Sequence, residues 1–263
     1  QKVSLSKEDI AFLQYTGGTT GKSKAAVLTH GNLLSNIDQV YIWIKNYVSE
    51  GKEIILTALP LYHIFSLTVN CLTFFRLGAE NLLITNPRDI KRFIGTLKKN
   101  KFTVVTGVNT LFNLLISNSE FKKLDFTKLK FAVGGGMAVL KDTAEKWKKI
   151  TGTNIIQGYG LTETSPVLAI NIITDEFNGF IGLPMPSTEI SVRDENEKEL
   201  QIGKEGELCV KGPQVMKEYW NSKEETENVF TKDGYFKTGD IAKINGDGFI
   251  KIVDRKKDMI ISS

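Results

Sequence analysis

Three glycines, three threonines and two lysines fall within nine consecutive residues, Thr16-Gly17-Gly18-Thr19-Thr20-Gly21-Lys22-Ser23-Lys24. Glycines let the backbone turn tightly and aim successive N–H groups in one direction. The hydroxyls and ammonium groups add further donors. Such a loop can wrap a polyphosphate. It is not a Walker A loop, because Thr16 stands where that motif needs its first glycine. A flexible polar turn is the plainer alternative, but a plain turn rarely collects this many glycines, hydroxyls and cations behind a strand. Phosphate binding is the favoured reading.

Six other places hold residues of chemical interest. A second glycine run, Gly134-Gly135-Gly136, closes an apolar stretch, and Gly158-Tyr159-Gly160 opens Leu161-Thr162-Glu163. A tyrosine between glycines leaves its ring accessible for stacking on a flat base, although core and turn tyrosines are common. Glu163 beside the Thr162 hydroxyl suits Mg2+ among phosphates. The competing role is that of an acid at a helix N-terminus. Asp240 lies between Gly239 and Ile241-Ala242, where a carboxylate can accept both hydroxyls of a ribose or simply solvate a turn. His63 sits in an apolar segment, where a structural histidine is the usual case. His30 is expected to pack or to position the phosphate loop. On residue type alone, Asp254-Arg255-Lys256-Lys257-Asp258 is a solvated charged run.

These residues need a scaffold, and the apolar pattern supplies one. Short strands are expected at 11–15, 54–59, 81–85, 102–106, 129–133 and 154–157. Between them, Leu33, Ile37, Val40 and Ile44 recur at helical spacing. Helix 89–99 gathers Ile90, Phe93, Ile94 and Leu97 on one face. A helix follows at 109–117, and helix 139–150 is expected to bury Leu140, Ala144 and Trp147. The pattern is α/β, a mostly parallel sheet with helical cover, from residue 1 to about 180. Beyond it, strands 189–192 and 207–210 and a glycine-punctuated stretch 231–253 imply a smaller antiparallel β subdomain. The expected domains are 1–180, 181–252 and a hinge at 253–263.

Composition narrows the classes. The 263 residues are 41% hydrophobic and 24% charged, so a packed soluble core is expected rather than disorder. The net charge of +4, from 34 basic and 30 acidic residues, suits anionic small substrates or an anionic membrane surface without requiring either. No basic stripe interleaved with aromatics supports nucleic-acid binding. Cys71 and Cys209 are expected as two buried thiols in a reducing compartment. Residues 54–75 carry no Asp, Glu, Lys or Arg. Pro60, His63, Ser66, Thr68 and Asn70 interrupt them, so a strand, a turn and a buried helix are expected rather than a membrane span.

The order of motifs carries a resemblance. Tyr15 to Lys24, followed by Leu28-Thr29-His30-Gly31-Asn32-Leu33, resembles the phosphate loop of the adenylate-forming superfamily, which includes acyl-CoA synthetases, firefly luciferase and peptide-synthetase adenylation domains. Leu59-Pro60-Leu61-Tyr62-His63-Ile64-Phe65 resembles the stretch with the active-site histidine. Gly134-Gly135-Gly136-Met137 resembles the nucleotide-contacting turn, and Gly158 to Thr164 the adenine and metal motif. Tyr235-Phe236-Lys237-Thr238-Gly239-Asp240 resembles the ribose motif, and residues 254–258 the hinge. Asn86-Pro87-Arg88-Asp89, residues 106–112 and residues 209–216 are most similar to bacterial long-chain fatty-acid CoA ligases.

The resemblance implies roles. His63, Thr162, Glu163 and Lys257 would be catalytic, with His63 near the acid's carboxylate and Lys257 at the hinge pivot. Thr16, Gly17, Gly18, Thr19, Thr20, Gly21, Lys24, Gly134, Gly135, Gly136, Gly158, Tyr159, Gly160, Asp240 and Arg255 would hold ATP or AMP. Thr16 and Glu163 would serve Mg2+. The implied reaction joins a long-chain fatty acid to ATP as an acyl-adenylate, then passes the acyl group to CoA. A segment of 108–117 would line the acyl tunnel. A ligase for medium-chain or aryl acids and a non-catalytic nucleotide-binding scaffold are the alternatives. The location implied is cytoplasmic, with peripheral contact on the inner face of the membrane as an option. The oligomeric state is open, a homodimer included. The family's small C-terminal domain and N-terminal subdomain are expected to be lacking, leaving the isolated stretch with little complete activity. One departure stands out: Ala25 replaces the glycine usual after the loop lysine. If that position needs a left-handed φ or a close approach, alanine costs up to about 1 kcal/mol or more.

Overall fold

The computed structural model describes residues 3–16 and 23–255. In chain order its elements are β1 (Ile10–Thr16), β2 (Lys24–Thr29), α1 (His30–Ile44), β3 (Ile54–Thr57), a π-helix at Ser66–Thr73 running into α2 (Phe74–Arg76), β4 (Glu80–Leu83), α3 (Ile90–Lys99), β5 (Val104–Gly107), α4 (Asn109–Ser117), β6 (Phe131–Gly134), α5 (Lys141–Thr151) and β7 (Ile155–Gly160). Then come β8 (Val167–Ile170), β9 (Leu183–Pro184), β10 (Glu189–Arg193), β11 (Gly206–Lys211), α6 (Lys223–Val229), β12 (Phe236–Ile244) and β13 (Ile250–Arg255). Two compact units result, one of Gln1–Gln39, Gly160–Ala169 and Phe180–Ser263, the other of Val40–Tyr159 and Ile170–Gly179.

The second unit is the α/β part. Its strands β4, β3, β5, β6 and β7 pair in that order, all parallel. Parallel strands are buried on both faces, which explains why β5 and β6 are apolar runs rather than alternating patterns. Phe93, Ile94 and Leu97 of α3, Phe112 and Leu115 of α4 and Trp147 of α5 share one core with Val105 and Ala132. Trp147 packs edge-on against Phe112 at 5.0 Å between ring centres. Asp89 caps α3 by accepting the Arg92 N–H at 3.1 Å. Gly152 ends α5 in the left-handed conformation.

The uncharged stretch 54–75 forms β3, a turn and a helical segment of mainly π geometry. Thr57, Ser66, Asn70 and Thr73 are buried and paired. Asn70 donates to Thr57 Oγ1 at 3.0 Å and accepts from Thr106 Oγ1 at 2.9 Å, while Ser66 donates to the Leu59 carbonyl at 3.0 Å. A membrane could not supply those partners. Among the described residues no helix is long and apolar enough to cross a membrane.

The first unit is β-rich. Strands β10-β11-β12-β13 form an antiparallel sheet, as the punctuated pattern after residue 180 predicted. β1 and β2 make an antiparallel hairpin. The far edge of β2 is also occupied: Lys217 N donates to Val27 O, Val27 N to Glu218 O and Trp220 N to Ala25 O, at 2.8 to 3.1 Å. Ala26, Val27 and Leu28 are therefore wholly buried.

Three expectations change. Leu140 does not join the buried face of its helix. It caps α5 from outside and is 57% exposed, because the helix starts one residue later. Cys71 is only partly buried, whereas Cys209 is buried as expected, with its thiol pushed up to about 12, chiefly by burial. Ala25 sits in extended backbone inside β2, paired with Tyr15 and nearly buried. A strand tolerates a Cβ, so the left-handed penalty does not arise.

Candidate functional site

In the first unit the hairpin stem closes the glycine loop. Thr16 ends β1 and Lys24 opens β2, and the two are cross-strand partners. Gly17, Gly18, Thr19, Thr20, Gly21 and Lys22 lie outside the described residues, as does Lys257. The Lys24 ammonium forms an ion pair with Glu225 and lies 5.3 Å from the centre of the Tyr219 ring.

Glu163 sits in a tight turn at Thr162–Thr164. The Thr164 hydroxyl fixes that turn by accepting the Leu161 N–H at 3.0 Å. Thr162 is half-buried, and Glu163 is only 8% exposed. Its Oε1 accepts a 2.6 Å hydrogen bond from the Tyr219 hydroxyl, and its carbonyl accepts the Met216 N–H at 2.7 Å. Burial and the neighbouring Glu163 carboxylate both push the Tyr219 phenol well above its usual range, so it stays a donor. Gly160 precedes this turn. A Cβ there would stand 1.9 Å from the Pro166 carbonyl oxygen, so no larger residue fits.

Asp240 and Arg255 are direct cross-strand partners on β12 and β13. Arg255 Nε lies 3.4 Å from Asp240 Oδ1. The Asp240 side chain is nearly buried while that of Arg255 is open to solvent. The Asp240 N–H is engaged by Thr238 Oγ1 at 3.1 Å.

In the second unit, three of the motifs follow the C-terminal ends of parallel strands, the edge at which open α/β sheets bind ligands. The turn after β3 carries His63, the end of β6 leads through Gly134, Gly135 and Gly136, and the end of β7 carries Gly158 and Tyr159. They meet closely. A Cβ on Gly135 would lie 3.2 Å from the Phe65 ring and 3.5 Å from the Gly158 carbonyl. The His63 Nδ1 accepts the Phe65 N–H at 3.2 Å, which leaves the proton of the neutral ring on Nε2. The ring is partly withdrawn from water, and that lowers its pKa.

No cluster of three or more metal-ligating side chains occurs among the described residues. Glu163 is a nearly buried carboxylate, and Thr16 stands at the loop's stem. Tyr219 and Glu225 were not found by sequence reasoning, and Phe65 was named only as the end of the His63 motif. The signal for Tyr219 was an aromatic pair, Tyr219-Trp220, in a polar link.

The fold and these groups define the class. The chain matches the AMP-binding enzyme family over residues 1–220 and belongs to it. It is 54% identical to the long-chain-fatty-acid–CoA ligase of Salmonella typhimurium and 53% identical to that of Escherichia coli, in each case over 100% of this chain and 47% of the relative. The crystal structure of ATP-bound MatB from Rhodopseudomonas palustris superposes with a TM-score of 0.87 at 33% identity, covering 97% of this chain and 50% of that one. The chain thus spans about half the length of the curated relatives it matches.

Proposed function

We propose that this chain carries the nucleotide- and acid-handling part of a long-chain fatty-acid CoA ligase. The observation that supports it most is the agreement between 54% identity to such a ligase and a nearly buried Glu163 held by a phenol in the first unit. The reaction proceeds in two steps. The fatty-acid carboxylate attacks the α-phosphorus of ATP, forming the acyl–phosphate bond and releasing pyrophosphate. The thiol of CoA then attacks the acyl carbon and AMP leaves. A free carboxylate would have to expel oxide, whereas AMP is a good leaving group. No protein nucleophile is needed, so the protein's task is alignment and neutralisation of charge.

In this reading the loop at 16–24 wraps the phosphates, with Thr16 and Lys24 at its stem. Glu163 and Thr16 hold Mg2+, which when bound neutralises the polyphosphate. The donor set fits, since Mg2+ is ordinarily held by one or two carboxylates together with phosphate oxygens. Asp240 accepts the ribose hydroxyls and Arg255 approaches the ribose or phosphate. Gly134, Gly135, Gly136 and Gly158 leave room for the nucleotide and Tyr159 stacks on adenine, while Gly160 lets the chain turn toward Thr162 and Glu163. Neutral His63 offers Nε2–H to the fatty-acid carboxylate, and Lys257 serves as the hinge pivot. CoA is the acyl acceptor. Membrane contact, if made, is peripheral.

The test is radiolabelled pyrophosphate exchange into ATP by the full-length protein, with a panel of acids. Stimulation greatest with long-chain acids supports the proposal. Stimulation by medium-chain or aryl acids instead would reassign the substrate. Absence of exchange with every acid would point to a scaffold.

A further inference from the structure

Resting on that assignment of Glu163, we infer that Tyr219 is a positioning residue that sets the metal-directed carboxylate and the phosphate-loop lysine together. Three contacts converge on it, all within the first unit. The hydroxyl donates to Glu163 Oε1 at 2.6 Å. The ring carries the Lys24 ammonium at 5.3 Å from its centre. The backbone bridges to Ala26, two residues past the loop's stem, and the next N–H, of Trp220, binds the Ala25 carbonyl at 2.8 Å.

A carboxylate on a tight turn has rotamer freedom that a shared cation cannot tolerate. A buried phenol that only donates removes it: by occupying one oxygen, it leaves the other lone pairs of the carboxylate aimed elsewhere. Tyr219 is itself immobilised. It is 6% exposed, and its N–H is engaged by Thr226 Oγ1 at 2.9 Å. The same side chain therefore references the carboxylate to β2, the strand that emerges from the phosphate loop. The Lys24 ammonium rests on this ring while paired to Glu225, an anion that polyphosphate can replace. Glu163 supplies charge; Tyr219 supplies its direction.

The discriminating experiment compares wild type, Tyr219→Phe, Tyr219→Leu, Glu163→Gln and the double variant Tyr219→Phe/Glu163→Gln. Mn2+ binding to the nucleotide complex is read by electron paramagnetic resonance, and metal-free ATP binding by equilibrium dialysis. Tyr219→Phe keeps the ring and loses only the donor. It should weaken Mn2+ binding about tenfold while leaving metal-free ATP binding unchanged. Tyr219→Leu should weaken both, because the support beneath Lys24 is gone. In the Glu163→Gln background, Tyr219→Phe should add nothing further. Circular dichroism confirms that each variant is folded. Wild-type-like Mn2+ binding by folded Tyr219→Phe, or full additivity in the double variant, overturns the inference. Failure of wild type to bind ATP at all would instead overturn the functional assignment beneath it.

Discussion

Asp240 and Arg255 face each other across two antiparallel strands, with Nε 3.4 Å from Oδ1, the carboxylate nearly buried and the guanidinium in solvent. A buried aspartate paired with an exposed arginine is well placed to change partners. Its carboxylate oxygens can accept two hydroxyls of a sugar while the arginine turns to an anion. Asp240→Asn should weaken ATP binding about tenfold, from the loss of charged acceptors. It should also abolish discrimination between ATP and its 2′,3′-dideoxy analogue, measured by competition dialysis. Equal discrimination in wild type and variant would remove Asp240 from the ribose.

Gly160 tests the turn that delivers Glu163. Its Cβ position lies 1.9 Å from Pro166 O and 3.2 Å from Val167 Cα, both on backbone that cannot rotate away. Gly160→Ala should cost about 3 kcal/mol or more in urea denaturation. Gly246→Ala, where nothing lies within 4 Å, should stay within about 0.5 kcal/mol. Similar losses for both would mean that the close approach is not what requires glycine.

Glu53 is nearly buried and ion-paired to Lys130. Burial opposes its ionisation, but the Lys130 ammonium, the Thr103 hydroxyl and the Ser49 N–H outweigh burial and hold the carboxyl below its ordinary value of 4.5. A depressed folded pKa stabilises above the unfolded value. The contribution is complete above pH 4.5 and is lost as pH falls through the lower folded pKa. Lys130→Met should cost about 2 kcal/mol at neutral pH, below the fully buried case because the lysine is 35% exposed. The loss should shrink on acidification. A pH-independent loss would contradict the pairing.

His63 should titrate below the ordinary imidazole value of 6.5, because partial burial disfavours its cation. Here the folded state resists the proton. Any stability tied to the group is complete above 6.5 and declines as pH falls through the lower folded value. Ring-proton chemical shifts should give this midpoint directly, along with the Nε2–H tautomer imposed by the Phe65 N–H. A midpoint above 6.5 would indicate a nearby anion rather than desolvation.

Much of the scaffold was legible because parallel strands and amphipathic helices write long apolar patterns. Leu33, Ile37, Val40 and Ile44 are all buried, as their spacing predicted, and so are Phe93, Ile94 and Leu97. Strand β2 was not legible. Lys24-Ala25-Ala26-Val27-Leu28-Thr29 begins inside a glycine motif, and its two alanines carry little strand preference; pairing on both edges, not propensity, makes it a strand. Leu140 misled because helical spacing cannot locate a helix start to one residue. The candidate site divides the same way. Glu163 and Asp240 announce themselves by motif. Tyr219, 56 residues beyond Glu163 in sequence, becomes visible only once the chain has folded back along β2.

Binding of an acyl-adenylate mimic can be measured without turnover. A stable acyl-sulfamoyl adenosine mimics the acyl-adenylate and unites adenine, ribose, the α-phosphoryl position and the acyl chain in one molecule. Titrated calorimetrically into this chain, the hexadecanoyl compound should bind more tightly than AMP and more tightly than the acetyl or benzoyl compounds, and Asp240→Asn should weaken it. Equal affinity for all the acyl forms, or affinity no better than that of AMP, would contradict the assignment of this chain to long-chain acyl adenylation.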